Sequence, residues 1–324
     1  MKYRYLGKSG LQVSELALGS WLTYGKSVGD STAEACIDTA YEHGINFFDT
    51  ANAYEAGEAE RVLGKSLKKY DRSSLVVATK VFFPMGEGVN ERGLSRKHII
   101  EQCDKSLQRL GMDYVDLYQC HRPDPNVPLE ETMRALDDLV TQGKVLYTGV
   151  SEFQHQELAQ AQSINQALNL HPLISNQPIY NMIERYIEKD VIDKGWQEGI
   201  GQVVFSPLAQ GVLTGKYKAD AAPPEDSRAA NDETNVVLNS YFDPRVLKVV
   251  KRLKKLAESE GYTTAQLALA WILRKKEVAS AIIGASRPSQ ITENIKAVDI
   301  ELSSDILTEV ETILLPIRDF HPMR

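Results

Sequence analysis

The chain has 324 residues, 43% of them hydrophobic and 25% charged, with a formal net charge of -7. That suits one large domain or two smaller ones, and the acidic balance gives no reason to expect nucleic-acid binding, which favours a basic face. Cys36, Cys103 and Cys120 match no metal motif or disulfide framework, the polar amino terminus lacks a signal-peptide core, and no apolar run approaches the roughly 20 residues that span a bilayer, so a cytoplasmic protein with no membrane insertion is expected.

Residues 3–15 read as a short hairpin turning at Gly7-Lys8-Ser9-Gly10. Strand and helix then alternate. Strand 16–19 precedes helix 30–43, which presents Ala33, Ile37, Ala40 and Tyr41 on one face and stops at Gly44. Strand 46–49 precedes helix 58–69, strand 75–80 precedes helix 95–110, and strand 114–119 precedes helix 129–142. Strand 145–150 leads to helix 155–168, strand 173–176 to helix 184–198, and strand 202–206 to a polar, Pro/Ala-rich excursion over 216–242. Helices 243–260 and 264–276, strand 279–283, helix 288–297 and helix 303–314 complete the chain.

Eight short, nearly continuously apolar strands, each followed by helical material, predict strands buried on both faces. The fold expected is α/β, a (β/α)8 TIM barrel spanning 1–324 as one domain, with the hairpin in front and extra helices behind. A doubly wound sheet is the alternative, but it usually carries a glycine-rich phosphate turn after its first strand. Here that strand ends Gly19-Ser20-Trp21. Gly86-Glu87-Gly88, in a later loop, lacks the final glycine of such a fingerprint.

A barrel keeps its active site at the carboxyl ends of its strands. Those ends read Gly19-Ser20-Trp21, Asp49, Lys80, His121, Ser151, Asn176-Gln177, Phe205-Ser206 and Gly284-Ala285-Ser286, polar or small where a plain core would continue with Val or Leu. Taken singly, Asp49 could be a turn cap, Lys80 a solvated edge charge, His121 a loop histidine and Tyr54 a surface aromatic. Together they suggest proton transfer. A phenol is a poor acid at neutral pH, and a neighbouring ammonium such as Lys80 would lower its pKa. Asp49 would hold Lys80 charged, and His121 would polarise a carbonyl oxygen. Trp21, Tyr24, Phe82, Phe83 and Tyr180 are expected to line an aromatic mouth.

The chain resembles the aldo-keto reductase superfamily along essentially its whole length. The resemblance rests on Phe48-Asp49-Thr50-Ala51-Asn52-Ala53-Tyr54 with Gly57-Glu58-Ala59-Glu60, on Thr79-Lys80, and on Asp116-Leu117-Tyr118-Gln119-Cys120-His121. It continues through Gly149-Val150-Ser151, Asn176-Gln177-Pro178-Ile179-Tyr180-Asn181, Phe205-Ser206-Pro207-Leu208-Ala209-Gln210-Gly211 and Ile283-Gly284-Ala285-Ser286. It implies NADPH/NADP+ as cofactor, Asp49, Tyr54, Lys80 and His121 as a catalytic tetrad, and reduction of aldehydes or ketones to alcohols with Tyr54 as proton donor. Arg122-Pro123-Asp124-Pro125-Asn126, Pro128-Leu129-Glu130-Glu131-Thr132 and Ser227-Arg228-Ala229 look like the branch of voltage-gated potassium channel β subunits and their bacterial relatives. Two positions depart from that branch: His121 stands where the channel subunits carry asparagine, and Glu152 where the family commonly has Asn or Arg. The histidine favours a working reductase over the alternative, an NADPH-sensing channel accessory with slow catalysis. An isomerase or aldolase using Lys80 as a Schiff base is a further alternative.

The resemblance places the nicotinamide on Phe205, its carboxamide on Ser151, Asn176 and Gln177, and Gly19, Ser20, Trp21, Asp49 and Ser206 nearby. The loop carrying Leu208, Gln210, Gly211 and Leu213 suits a pyrophosphate, with Lys216 adding charge. Gly284 to Pro288 leads into a helix whose N-terminus attracts anions, so Ser286, Arg287, Gln290 and Arg228 are expected at the 2′-phosphate and Glu293 and Asn294 at the adenine. No metal is expected. The expected partner is a small carbonyl substrate, and homo-oligomer formation stays open.

Overall fold

The computed structural model describes residues 1–21, 24–25, 29–217, 224, 229 and 238–323. The hairpin pairs β1 (Tyr3–Tyr5) with β2 (Gln12–Ser14). Eight parallel strands follow: β3 (Leu16–Gly19), β4 (Phe47–Asp49), β5 (Val76–Val81), β6 (Val115–Cys120), β7 (Val145–Ser151), β8 (Leu173–Gln177), β9 (Gly201–Val204) and β10 (Val278–Ile283). They close in the order β10-β3-β4-β5-β6-β7-β8-β9, the (β/α)8 barrel expected from the alternating pattern. Around it lie α1 (Asp30–Glu42), α2 (Glu58–Leu67), α3 (Arg96–Leu110), α4 (Leu129–Thr141), α5 (His155–Ala167), α6 (Val191–Gln197), α7 (Pro244–Ser259), α8 (Thr264–Leu273), α9 (Pro288–Ile295) and α10 (Ser304–Leu314).

Alternation along each strand separates two cores. Ala17, Phe47, Ala78, Leu117, Ile174, Val203 and Ala279 meet inside the barrel. Their outward neighbours, such as Leu18, Phe48, Val77 and Tyr118, pack against the helices. Arg4 of the hairpin closes the amino-terminal end: its guanidinium donates to Leu273 O at 2.7 Å, Lys275 O at 2.8 Å and Val278 O at 2.7 Å, and to Glu15 Oε1 at 2.7 Å. It therefore ties the hairpin to the segment joining α8 and β10.

One predicted element breaks in two. Instead of a helix over 184–198, a 3-10 turn at Tyr186–Glu188 precedes α6. The Asn181 side-chain Oδ1 accepts from Ile183 N at 2.8 Å and Glu184 N at 2.9 Å, a local turn that competes with helix initiation. Glu184 is fully buried and is held by Met323 N at 2.7 Å, so the start of this segment answers to the carboxyl-terminal tail rather than to helical propensity.

Candidate active site

The barrel interior changes character near its carboxyl mouth. On β4 the inward positions run Phe47 then Asp49; on β5 they run Ala78 then Lys80; on β6 Leu117, then Gln119, with His121 just beyond. Register places Asp49 beside Ala78 and Lys80 beside Gln119. Three acid, amine and imidazole side chains thus rise into one mouth because they continue the inward period of three adjacent strands.

Lys80 is the centre of the cluster and is fully buried. Its Nζ donates to Asp49 Oδ1 at 2.6 Å, to Thr50 O at 2.8 Å and to Tyr54 Oη at 3.1 Å, so all three ammonium hydrogens have acceptors. The other Asp49 oxygen accepts from Gln177 Nε2 at 2.9 Å. Burial alone would favour neutral Lys80, but the Asp49 carboxylate and the Tyr54 hydroxyl outweigh it and raise its pKa. Tyr54 opens a tight turn directly after β4, followed by left-handed Glu55 and Ala56 and then Gly57. Behind it, the buried carboxylate of Glu60 accepts from Thr79 Oγ1 at 2.6 Å and from Arg109 Nε at 2.5 Å, fixing the start of α2 against β5.

The expected lowering of the Tyr54 pKa does not occur in this state. Burial raises it most, Lys80 lowers it, Asp49 raises it again, and the net direction is upward. Sequence showed the ammonium partner but not the cost of placing a phenolate in the barrel mouth. Tyr54 is therefore a neutral phenol with its proton in place. His121 is held well below the usual imidazole range, first by burial, then by Lys80 and Arg122. The neutral ring packs edge-on to Tyr54 at 5.6 Å and to Phe83 at 4.8 Å between centroids. Its Nδ1 is buried and has no hydrogen-bond partner among the described residues, which makes it a polar atom awaiting one. Arg122 was missed by motif reasoning; it donates to His121 O at 2.6 Å and supplies the cation that, with Lys80, keeps His121 neutral.

These two directions set a pH expectation. Carbonyl turnover should stay level between the ordinary imidazole value of 6.5 and the ordinary phenol value of 10.0. A kcat/KM profile checks this; an acid limb centred between these values and close to 6.5 would mean that His121 titrates as a solvated imidazole.

The other expected residues divide. Ser151 is buried and its hydroxyl donates to Gln177 O at 2.8 Å. Gln177 faces the mouth, but Asn176 does not: its amide donates to Phe153 O and Gln202 Oε1, both at 3.3 Å, on the outer side of β8. Adjacent strand residues point to opposite faces, so the pair cannot share one ligand. Gly19 is required by packing, since a Cβ there would lie 2.5 Å from Ile282 Cγ2. Ser20 Oγ donates to Thr50 Oγ1 at 2.9 Å, and Trp21 stands 6.4 Å from the Tyr54 ring. Tyr24 and Tyr180 are withdrawn from the expected aromatic mouth. Tyr24 is 1% exposed and packed in the outer core, and Tyr180 is bonded to Glu188 and packed at a tilt, 5.4 Å between ring centroids, against Trp271 of α8.

Phe205 is half-buried beyond β9, bridged to Ile179. After it the backbone turns left-handed at Ser206 (φ 52°), Ala209 (46°), Gln210 (57°) and Gly211 (96°). Among the described residues, the non-glycine residues with positive φ are Glu55, Ala56, Glu152, Asn169, Ser206, Ala209 and Gln210, and all but Asn169 follow the carboxyl ends of strands. Strain of this kind collects where a surrounding structure holds it for a purpose. Leu208, Gly211 and exposed Lys216 share this loop, the Lys216 stem lying 3.5 Å from where a Gly211 Cβ would stand. Gln210 Nε2 donates to Ser206 Oγ at 2.6 Å. At the start of α9, Gly284, Ser286 and Arg287 are exposed, and Gln290 Oε1 accepts from Ser286 N at 2.8 Å, so a phosphate here would take that donor from Gln290. Glu293 is exposed and Asn294 buried. Arg228 lies outside the described residues. A half-buried aromatic, inward amides, a left-handed loop and exposed cations around one mouth fit a dinucleotide cofactor.

A second hollow of about 420 Å³ lies at the opposite end, lined by Lys8, Leu146, Tyr147, His171 and Ile174 among others. It contains none of the acid, amine and phenol cluster. Among the described residues no helix is long and apolar enough to cross a membrane, and no cluster of three or more potential metal ligands occurs.

The family model described as the aldo/keto reductase family matches residues 15–314. Curated relatives similar to this chain include proteins named as voltage-gated potassium channel β subunits. One from Schizosaccharomyces pombe is 44% identical over 96% of this chain and 93% of its own length. One from Arabidopsis thaliana is 42% identical over 97% of each chain, and one from Oryza sativa subsp. japonica is 40% identical over the same shares.

Proposed function

The chain belongs to the aldo/keto reductase family, and on that premise we propose that it is an NADPH-dependent reductase of small aldehydes or ketones. The observation that carries this reading is the Asp49–Lys80–Tyr54 relay, with Asp49 and Lys80 buried, Tyr54 half-buried at the mouth, and neutral His121 beside it. Phe205, Ser151 and Gln177 would hold the nicotinamide, the Ser206–Leu213 loop and Lys216 the pyrophosphate, and Ser286, Arg287 and Gln290 the adenosine phosphate. When bound, this cofactor supplies the hydride. The carbonyl oxygen lies against Tyr54 and His121, where the imidazole N–H polarises it and Tyr54 Oη delivers the proton. Lys80 then stabilises the phenolate that remains, and Asp49, held by Gln177, keeps Lys80 charged and fixed. The burial of Asp49, Lys80 and His121 strengthens these interactions.

The experiment is an NADPH-consumption screen over aldehydes, ketones and dicarbonyls, with NADH in parallel. Turnover of at least one carbonyl class, faster with NADPH, is expected; failure of every class while NADPH still binds would reject the reductase reading. A second reading draws on the names of the similar proteins: a cofactor-sensing accessory of a potassium channel. It predicts slow turnover limited by cofactor release and a stable complex with a channel protein, which co-purification with a candidate channel tests.

A further inference from the structure

Glu152 follows Ser151 at the end of β7, and its backbone is left-handed, with φ 61°. A charged, β-carbon-bearing residue holds that conformation only when its surroundings fix it. Here they do. The Glu152 carboxylate accepts from Ile179 N at 2.6 Å through one oxygen and from Tyr186 Oη at 3.2 Å through the other. Its own N–H donates to Gln177 O at 3.3 Å, the same carbonyl that Ser151 Oγ reaches at 2.8 Å. The side chain therefore turns toward the segment after β8 and joins it to the end of β7.

That segment leads directly to the cofactor-facing residues. Ile179 pairs with Phe205 across an isolated parallel bridge, with Phe205 N donating to Pro178 O at 3.1 Å and Tyr180 N to Phe205 O at 3.3 Å. Phe205 lies beyond the last residue of β9, so this bridge continues the sheet past its regular end. Gln177, two residues before Ile179, holds Asp49. One carboxylate thus joins the three strand ends that carry Ser151, Gln177 and Phe205.

We infer that Glu152 is a positioning residue for the nicotinamide bed: by chelating Ile179 N and Tyr186 Oη it sets where Phe205 and Gln177 stand. The inference rests on the NADPH reading for its ligand but not for its geometry. Two measurements separate the two. The first is hydrogen exchange at the Ile179 and Phe205 amides in the cofactor-free protein. The second is NADPH affinity by fluorescence titration, set beside thermal stability.

Glu152→Ala should speed exchange at both amides and weaken NADPH binding by about ten- to a hundredfold, the scale of lost hydrogen bonds to a charged group. Glu152→Gln keeps an oxygen for Ile179 N and should restore much of both. Tyr186→Phe removes the second carboxylate contact and leaves Ile179 N in place, and should give a smaller loss of the same kind; it and Glu152→Gln carry the test if the alanine variant does not fold. Carbonyl KM should change less than NADPH affinity, because the Glu152 bonds to Ile179, Tyr186 and Gln177 lead toward the nicotinamide bed. A lowered melting temperature with unchanged exchange at Phe205 and unchanged NADPH affinity would overturn the inference, leaving Glu152 a purely structural tie. If the wild type itself binds no NADPH, the proposed function fails, while amide exchange still decides whether Glu152 positions Phe205.

Discussion

Replacing Tyr54 by Phe should lower the kcat of carbonyl reduction by about 10²–10⁴-fold, the range associated with a positioned general acid, and should leave NADPH affinity nearly unchanged. The ring survives the substitution, so its edge contact with His121 and its neighbour Trp21 persist. What disappears is one oxygen, the third acceptor of Lys80 Nζ, at 3.1 Å. Lys80 keeps Asp49 and Thr50 O, so the cost to stability is about 1 kcal/mol, that of one hydrogen bond. The size of the catalytic loss follows from the state of the phenol. Burial keeps Tyr54 protonated, so a proton is ready for the carbonyl oxygen and none has to be recruited from solvent. Steady-state rates under saturating NADPH, with fluorescence titration of the cofactor, check both halves. Wild-type turnover in this variant would remove Tyr54 from the mechanism.

The inward set Asp49, Lys80 and His121 was legible in the sequence because each ends an apolar run, and the period of a strand then fixes the face. The barrel was legible for the same reason, repeated eight times. What escaped depends on neighbours far along the chain. Asn176 and Gln177 look equivalent in sequence; which one faces the mouth is settled by an irregular register between β7 and β8 near Thr148 and Gly149. Tyr24 and Tyr180 follow strands 3 and 8 much as Tyr54 follows strand 4, yet packing against the helices withdraws both. The break before α6 was hidden because Ile183, Ile187 and Val191 keep a helical spacing through it, while the Asn181 turn and the tail contact of Glu184 interrupt it. The direction of the Tyr54 pKa was misjudged because composition names a charged partner but not the dielectric around it.

Lys80→Met should cost about 3–5 kcal/mol of stability, the usual consequence of leaving one member of a buried ion pair alone, and should remove nearly all carbonyl turnover. Methionine fills most of the lysine volume, so the loss is electrostatic. Asp49 would remain 3% exposed with one hydrogen bond, from Gln177, in place of the 2.6 Å ammonium contact. Adding Asp49→Asn removes the orphaned charge, so the double variant should regain much of the stability while turnover stays lost. That split separates the structural share of the pair from its support of Tyr54. The pH dependence has a definite sign. The folded-state pKa of Lys80 is raised above 10.5, so its stabilisation is complete below 10.5 and disappears as pH climbs through the folded value. The gap between wild type and Lys80→Met in urea unfolding should therefore be full at neutral pH and narrow in strongly alkaline buffer. A single variant as stable as wild type at neutral pH would show that Asp49 is not charged in the fold, and the relay from Asp49 through Lys80 to Tyr54 would lose its anchor.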